Sequence, residues 1–309
     1  MTTKHIYKLP LLTLLVSAGL LTACSSDDDN TAGGDLQSPE TPIRIEVEVS
    51  EEPIVDTSDL ARETRGTATT TATLSGFKMF AVHNASIDKE YSVSKNGNTW
   101  TIVPNTWPSN NPVDFYANTD GGTFNLNSGN PYVRFKVAEN ASTQHDLLVA
   151  KKMQQSRPTD GVGKVSLTFS HVCAAVAFNV QMTKTLSSQI SGNLTVNSIK
   201  LHNVYSEGKY FFNSKEWVYV TDNGTEQPVK TYYTLSNSDI SVTTEYQPLS
   251  SNDIFMIPQS RTADGTNGMY LEINYSNNSK SAIIPLDVDW QAGYRYTVNI
   301  RLGTQQIEH

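Results

Sequence analysis

The sequence predicts an all-β protein, and three observations support this. Threonine, serine and asparagine are abundant, and no stretch of ten residues carries a helical apolar period. Turn signals such as Asn96-Gly97 and Asp264-Gly265 separate short apolar segments. Several of these segments alternate apolar and polar residues with a period of two, as half-buried strands do. Turn signals at such short intervals are typical of β-sandwiches.

Length and charge limit the domain count and the partners. A chain of 309 residues suggests about two domains of ~150 residues each. The composition shifts toward Asp, Gly and Pro-flanked residues over Thr159–Gly163, which predicts domains at 66–160 and 161–309. With 31 acidic against 23 basic residues the net charge is −8, and this argues against nucleic acid as a partner because phosphate binding needs a basic surface.

Residues 1–23 have the pattern of a secretory signal. Lys4 and Lys8 form a positive start, and Leu9–Leu21 is an apolar run that is short for a membrane span. The run ends in LTAC, which resembles a bacterial lipobox with Cys24 as the acylated first residue of a lipoprotein. The alternative is a plain signal peptide with an incidental cysteine. Several acyl chains on Cys24 would anchor the protein firmly, since one chain binds a membrane only marginally.

A tether follows the signal. The segment Ser25–Asp29 resembles the acidic signal that sends lipoproteins of Bacteroidetes to the outer face, and the alternative is a solvated spacer. The two prolines of Asp35–Pro42 continue it. Because Cys24 and Cys173 are the two cysteines, no disulfide framework is predicted, and Cys173 in VCAAVAF is expected to be a small core residue.

A strand is predicted immediately after the tether. Four aliphatic residues fall on one face with polar residues between them; they are Ile43, Ile45, Val47 and Val49. The following segment, EEPIVDTSDLARETR, has no sustained apolar period and contains Arg62 and Arg65. A cut after Arg65 would remove this strand from the body and leave an open sheet edge, which a strand from another chain can fill.

Two later segments carry further predictions. In Leu74–His83 apolar residues occur on both faces, as in a strand buried inside a sandwich. From Val165 the apolar residues are odd-numbered, and from Val172 they are even-numbered. This phase slip predicts a β-bulge or a bend within one long strand. His171 lies at the slip, where a buried, hydrogen-bonded histidine is expected rather than a metal ligand or base.

No catalytic motif is present. The sequence has no HExxH, GxSxG, P-loop or CxxC, so an enzyme is not expected, and neither a cofactor nor a metal site is predicted. Four tryptophans are candidates for sugar-stacking platforms, although core packing is expected for most of them: Trp100, Trp107, Trp217 and Trp290.

Several phrases taken together resemble the fimbrillins, the type V pilins of the Bacteroidales. The likeness spans nearly all of the mature chain, and the order and spacing of the phrases carry it. The matching features are Cys24, Thr64-Arg65-Gly66, Gly76–Val82, His145–Ala150, Val165–Val176, Ile254–Gln259 and Val288–Ile300.

This resemblance implies two transthyretin-like β-sandwich domains behind a lipoprotein signal and a removable N-terminal strand. It implies an outer-membrane lipoprotein that a trypsin-like, arginine-specific protease cuts between Arg65 and Gly66, removing residues 24–65. The partners it implies are other fimbrial subunits: copies of the same chain, an anchor or a tip protein. The usual donor strand lies near the C-terminus, where only the short Gly303–His309 follows the last predicted strand.

Two alternatives stay open. Arg62 is a second candidate for the cut. The second alternative is that the chain is a surface lipoprotein that does not polymerise. It would then be a fimbrial anchor, a fimbrial tip or a glycan-binding adhesin.

Overall fold

A computed structural model of the chain describes residues 41–50, 69–140, 143–190, 193–220, 233–236, 239–249, 253–262, 268–275 and 280–304. Over these residues the fold is almost entirely β, as the sequence predicts, with one short helix, α1 (Lys184–Ile190).

The described strands are two to eleven residues long. The first nine are β1 (Ile43–Val49), β2 (Gly76–His83), β3 (Ser86–Asn96), β4 (Thr99–Val103), β5 (Val113–Asn118), β6 (Gly122–Asn127), β7 (Asn130–Lys136), β8 (Leu148–Gln155) and β9 (Gly163–His171). The others are β10 (Ala174–Met182), β11 (Leu194–His202), β12 (Glu207–Phe211), β13 (Glu216–Tyr219), β14 (Tyr233–Ser236), β15 (Ile240–Val242), β16 (Gln247–Pro248), β17 (Ile254–Met256), β18 (Gln259–Arg261), β19 (Tyr270–Tyr275), β20 (Lys280–Pro285), β21 (Val288–Trp290) and β22 (Arg295–Leu302).

The largest sheet has seven strands in the order β1-β9-β8-β5-β2-β3-β4. The predicted hairpin is present in it: Asn96 of β3 pairs with Thr99 of β4, and Gly97 in the turn has a φ of 59°. That angle lies in the left-handed region that glycine adopts without strain. β1 forms one edge of the sheet and lies close to β4 at the other edge.

Smaller sheets complete the fold. Their orders are β16-β10-β17 with β22 beside β10, β14-β11-β19-β20 with β15 beside β11, β13-β12-β7-β6, and β18-β21.

One face of the seven-stranded sheet is buried along all seven strands, and the other face is buried where β2, β5 and β8 pack against a second core. As predicted, β2 carries apolar groups on each side: Phe77 and Met79 belong to one core, and Phe80 and Val82 to another. The smaller core takes side chains from all seven strands, so this sheet curves around its own apolar interior. The larger core lies on the other face, with side chains from β6, β7, β10, β11, β12, β17, β19 and β22.

The prediction of one long strand through His171, with a bulge or a bend, is wrong. β9 ends at His171 in the seven-stranded sheet, and β10 begins at Ala174 in a different sheet. The phase slip therefore marks a chain crossing from one sheet to another. β9 also lies beyond the predicted boundary at residue 160 while pairing with β1 and β8, and the division into domains stays a prediction.

Candidate functional site

The residues predicted for processing fall in two groups. Cys24, Arg62, Arg65 and Gly66 lie outside the described residues, so lipidation and cleavage stay predictions. The four aliphatic residues predicted to form a strand lie on β1, whose bounds match the predicted ones. The candidate site is therefore the slot that β1 occupies.

β1 is held on one side by β9 in a parallel ladder that runs from Gly163 to Phe169. At the start of the ladder, the Gly163 N–H donates to the carbonyl oxygen of Pro42 at 2.7 Å. At its end, the Ser50 N–H donates to the carbonyl oxygen of Phe169 at 2.9 Å. β1 is far in sequence from every other strand of this sheet: 26 residues separate its last residue, Val49, from Gly76, the first residue of β2.

The inner face of β1 contributes to the smaller core. Ile43 is 3% exposed, Ile45 6% and Val49 9%, whereas Val47 is half-buried. Burying an aliphatic side chain of this size contributes about 1.5–3 kcal/mol. The strand is therefore a structural part of the core, and its loss would expose a continuous apolar slot.

The outer face of β1 is charged. Arg44, Glu46 and Glu48 are exposed, and Glu46 forms an ion pair with Lys164 of β9 at 2.7 Å. Ser166 also donates a hydrogen bond to the Glu46 carboxylate at 3.1 Å. The Lys164 hydrogen bond is the main reason that the pKa of Glu46 lies below its usual value. These contacts add cross-strand pairing on the solvent side.

One end of the slot is closed by the loop after β4. The Trp107 N–H donates to the carbonyl oxygen of Thr41 at 2.7 Å. The Asn105 Oδ1 accepts a hydrogen bond from the Ile43 N–H at 3.3 Å. Both bonds reach the edge of β1 that faces away from β9.

Partly buried hydrogen bonds hold this loop in place. The Lys89 ammonium donates to Thr106 Oγ1 at 2.7 Å and to the Trp107 carbonyl oxygen at 3.1 Å. The Tyr91 hydroxyl donates to the Thr106 carbonyl oxygen at 3.0 Å, and burial raises the pKa of Tyr91, so it stays a donor. A Cβ on Gly163 would lie 2.2 Å from Trp107 Cε3. The absence of a side chain at Gly163 thus lets the indole pack against β9.

The other end is closed by the turn before β2. The Thr71 Oγ1 accepts a hydrogen bond from the Val49 N–H at 2.8 Å. The turn is closed by the Leu74 N–H, which donates to the Thr70 carbonyl oxygen at 2.8 Å. The Lys95 ammonium donates to the Thr71 carbonyl oxygen at 2.6 Å. Thr71 is thus fixed to the body of the protein.

The other candidate sites have structural roles. His171 Nδ1 and Asp146 Oδ2 are 2.6 Å apart with both side chains at most 3% exposed, which is the buried, hydrogen-bonded histidine that was predicted. Cys173 is buried in the larger core, as expected for a small core residue. No group of three or more metal-ligating side chains occurs among the residues that the structure describes. No helix in that part of the chain has the length and apolar content needed to span a bilayer.

The tryptophans pack rather than present open platforms. Trp107 and Trp290 are 4% and 3% exposed. Trp100 and Trp217 are partly exposed, and each packs against one of the two cores. Their environments favour the core interpretation over sugar stacking.

Sequence reasoning missed Asn105, Thr71 and Lys95. The two residues that contact β1 directly, Asn105 and Thr71, lie in a loop and a turn without periodicity, so no pattern in the sequence indicates that they meet the ends of a distant strand.

The chain matches one family of known proteins. A family model for fimbrillin-like proteins matches residues 60–309. The matched region begins after β1 and includes the predicted cut site. A search of curated proteins gives no match.

Three solved structures have a similar fold. A proposed cell adhesion protein from Bacteroides ovatus has a TM-score of 0.52 at 14% identity, over 85% of this chain and 93% of that one. One from Bacteroides eggerthii has a TM-score of 0.52 at 13% identity, over 87% and 88%. One from Parabacteroides distasonis has a TM-score of 0.53 at 8% identity, over 87% and 90%. At such identities the likeness shows a shared fold alone.

Proposed function

This chain belongs to the fimbrillin-like family, and from that premise we propose that it is a structural subunit of a cell-surface fimbrium, a type V pilus that supports adhesion. Membership of the family supports a fimbrial or adhesive role at the cell surface, and a structural role rather than an enzymatic one. The finer parts of the proposal concern export, processing and assembly.

The proposed life cycle has three steps. The chain is exported as a lipoprotein with Cys24 acylated and is held at the outer membrane. An arginine-specific, trypsin-like protease then cuts after Arg65, leaving Gly66 as the new N-terminus. The segment that contains β1 leaves, and a strand from another fimbrial subunit takes its slot. The mature body keeps the two predicted sandwich domains.

One observation carries the proposal: an edge strand that precedes the predicted cut fills an apolar slot in the body that follows it. Residues 51–68 are the covalent link between β1 and the body, and they include Arg65. A single cut there leaves β1 held by hydrogen bonds and apolar contacts alone.

The physical consequence is a stored drive for assembly. Before the cut, β1 occupies its own slot at a high effective concentration and blocks other strands. After the cut this advantage is lost, and the slot regains the burial of three aliphatic side chains only by taking up another strand. Main-chain hydrogen bonds to β9 add about 1 kcal/mol each. Assembly by this route needs no external energy source.

The test is limited proteolysis of the purified chain with an arginine-specific protease. The expected product begins at Gly66 by N-terminal sequencing and forms oligomers in size-exclusion chromatography. Arg65→Ala should block both, whereas Arg62→Ala should block neither. A product that begins at Gly66 but stays monomeric, alone and with other fimbrial subunits, contradicts polymerisation and indicates the non-polymerising alternative.

A further inference from the structure

The backbone of β1 presents two different edges. The carbonyl oxygen of Pro42 and the N–H of Ser50 form hydrogen bonds with β9. Because successive backbone groups of a strand point to opposite sides, the N–H groups of Ile43 and Val49 point away from β9. Those two N–H groups bond to the side chains of Asn105 and Thr71. The first and last residues of β1 are therefore bonded at the far edge to side chains, beside the backbone bond from Trp107 to Thr41, and this edge is not paired with another strand.

The two acceptors belong to the body of the protein. Asn105 and Thr71 both follow Arg65 in the chain, so both stay with the body after the proposed cut. They meet the first and the last residue of β1, which is seven residues long. The distance between them thus corresponds to one extended seven-residue segment.

Resting on the proposed function, we propose that Asn105 and Thr71 form a two-point clamp for any strand that occupies the slot, including a strand from a second copy or from another fimbrial subunit. The clamp requires a backbone N–H at the first and seventh positions of that strand. The slot requires aliphatic side chains at the first, third and seventh positions, where β1 has Ile43, Ile45 and Val49.

This defines the class of partner segment. The occupant is an extended strand of at least seven residues, parallel to β9, because β1 is parallel to β9. Proline is excluded at the first and seventh positions because it has no N–H. Proline is tolerated immediately before the first position, where Pro42 uses only its carbonyl group. A slip by one residue would turn Arg44 and Glu46 into the core. The occupant must therefore also alternate apolar and polar side chains in the same register as β1.

The clamp is preorganised, which favours binding because its residues need little further ordering. Lys95 fixes the carbonyl of Thr71. Lys89 and Tyr91 fix Thr106, the neighbour of Asn105.

The test uses two substitutions and two conservative controls. Thr71→Val and Asn105→Leu remove the acceptor with little change in size, whereas Thr71→Ser and Asn105→Asp keep an acceptor oxygen. In the uncleaved chain, amide hydrogen exchange should accelerate about tenfold at Val49 in Thr71→Val and at Ile43 in Asn105→Leu. Each control should restore protection. Unchanged exchange at both amides in both variants overturns the clamp, whether or not the chain is ever processed.

A second measurement addresses the cleaved chain. A labelled peptide of residues 41–50, TPIRIEVEVS, is loaded into the cleaved protein and its release is timed. Methylating the nitrogen of Val49 should speed release by about five- to tenfold, because one hydrogen bond is lost. In Thr71→Val the same methylation should have no further effect, whereas methylating Arg44, whose N–H faces β9, should speed release equally in both proteins.

The outcomes are separable. If Val49 methylation has the same effect in Thr71→Val as in the unaltered protein, the clamp is overturned. If the cleaved chain neither releases its own strand nor takes up the peptide, the proposed function fails, and the exchange measurement on the uncleaved chain still decides the clamp.

Discussion

Replacing Ile45 by alanine should loosen β1 without disturbing its charged face. Ile45 is 6% exposed and pairs in register with Val165, which is fully buried. Truncating a buried isoleucine to alanine costs about 2–5 kcal/mol, and a site at a sheet edge, where neighbours can relax, belongs at the lower end of that range. A cost of about 2–3 kcal/mol corresponds to an increase of about 30- to 140-fold in the population of chains with β1 detached.

Hydrogen exchange followed by mass spectrometry on the peptide covering residues 41–50 measures this population, because amides exchange when the strand opens. Glu48→Ala is the matched control, since Glu48 lies on the exposed face of the same strand and such substitutions change stability by less than about 0.5 kcal/mol. Equal acceleration in Ile45→Ala and Glu48→Ala would refute the conclusion that the inner face of β1 holds the strand in place.

Two further predictions concern the same slot. Gly163→Ala should destabilise the chain by about 1–3 kcal/mol in urea denaturation, because the new Cβ would displace Trp107; Thr168→Ala, at an exposed position of β9, should cost less than about 1 kcal/mol, and equal costs would contradict the packing argument. The lowered pKa of Glu46 means that its pairing with Lys164 stabilises β1 above the usual glutamate pKa of about 4.3 and is lost as the pH falls through the lower folded value. Release of the cleaved strand should therefore be faster at pH 3 than at pH 6, by less than about fivefold because the pair is exposed, and Lys164→Met should reduce this difference.

The local features of the fold were predictable because they depend on neighbours in sequence. Alternation gave the bounds of β1, and the apolar residues on both faces of β2 gave its position between two cores. The Asn96-Gly97 signal gave the β3–β4 hairpin. In each case the period of the strand or the chemistry of the turn determines the result.

Long-range features were not predictable in the same way. β1 and β9 are separated by more than a hundred residues, and nothing in either segment specifies the other as its partner. The phase slip after His171 predicts a bulge or a bend in one strand because a bulge and a crossing between sheets change the apolar face identically in sequence. The structure separates them, since β9 and β10 have different neighbours.

The residues that bond to the two ends of β1 could not be predicted from the sequence for a related reason. Asn105 and Thr71 act through one oxygen atom each, and both lie in segments without periodicity. Side-chain acceptors of backbone N–H groups have no sequence pattern when donor and acceptor are far apart in the chain. The tryptophans, by contrast, were weighed correctly toward the core, with Trp107 and Trp290 nearly fully buried.

A photo-crosslinker placed at Ser166 tests the central claim most directly, because the Ser166 side chain contacts Glu46 of β1. In the uncleaved chain the crosslink should join position 166 to β1 of the same molecule. In cleaved, assembled material it should join position 166 to a strand of another subunit. If the assembled material gives only the crosslink to its own β1, the slot is never vacated, and assembly by strand exchange is contradicted.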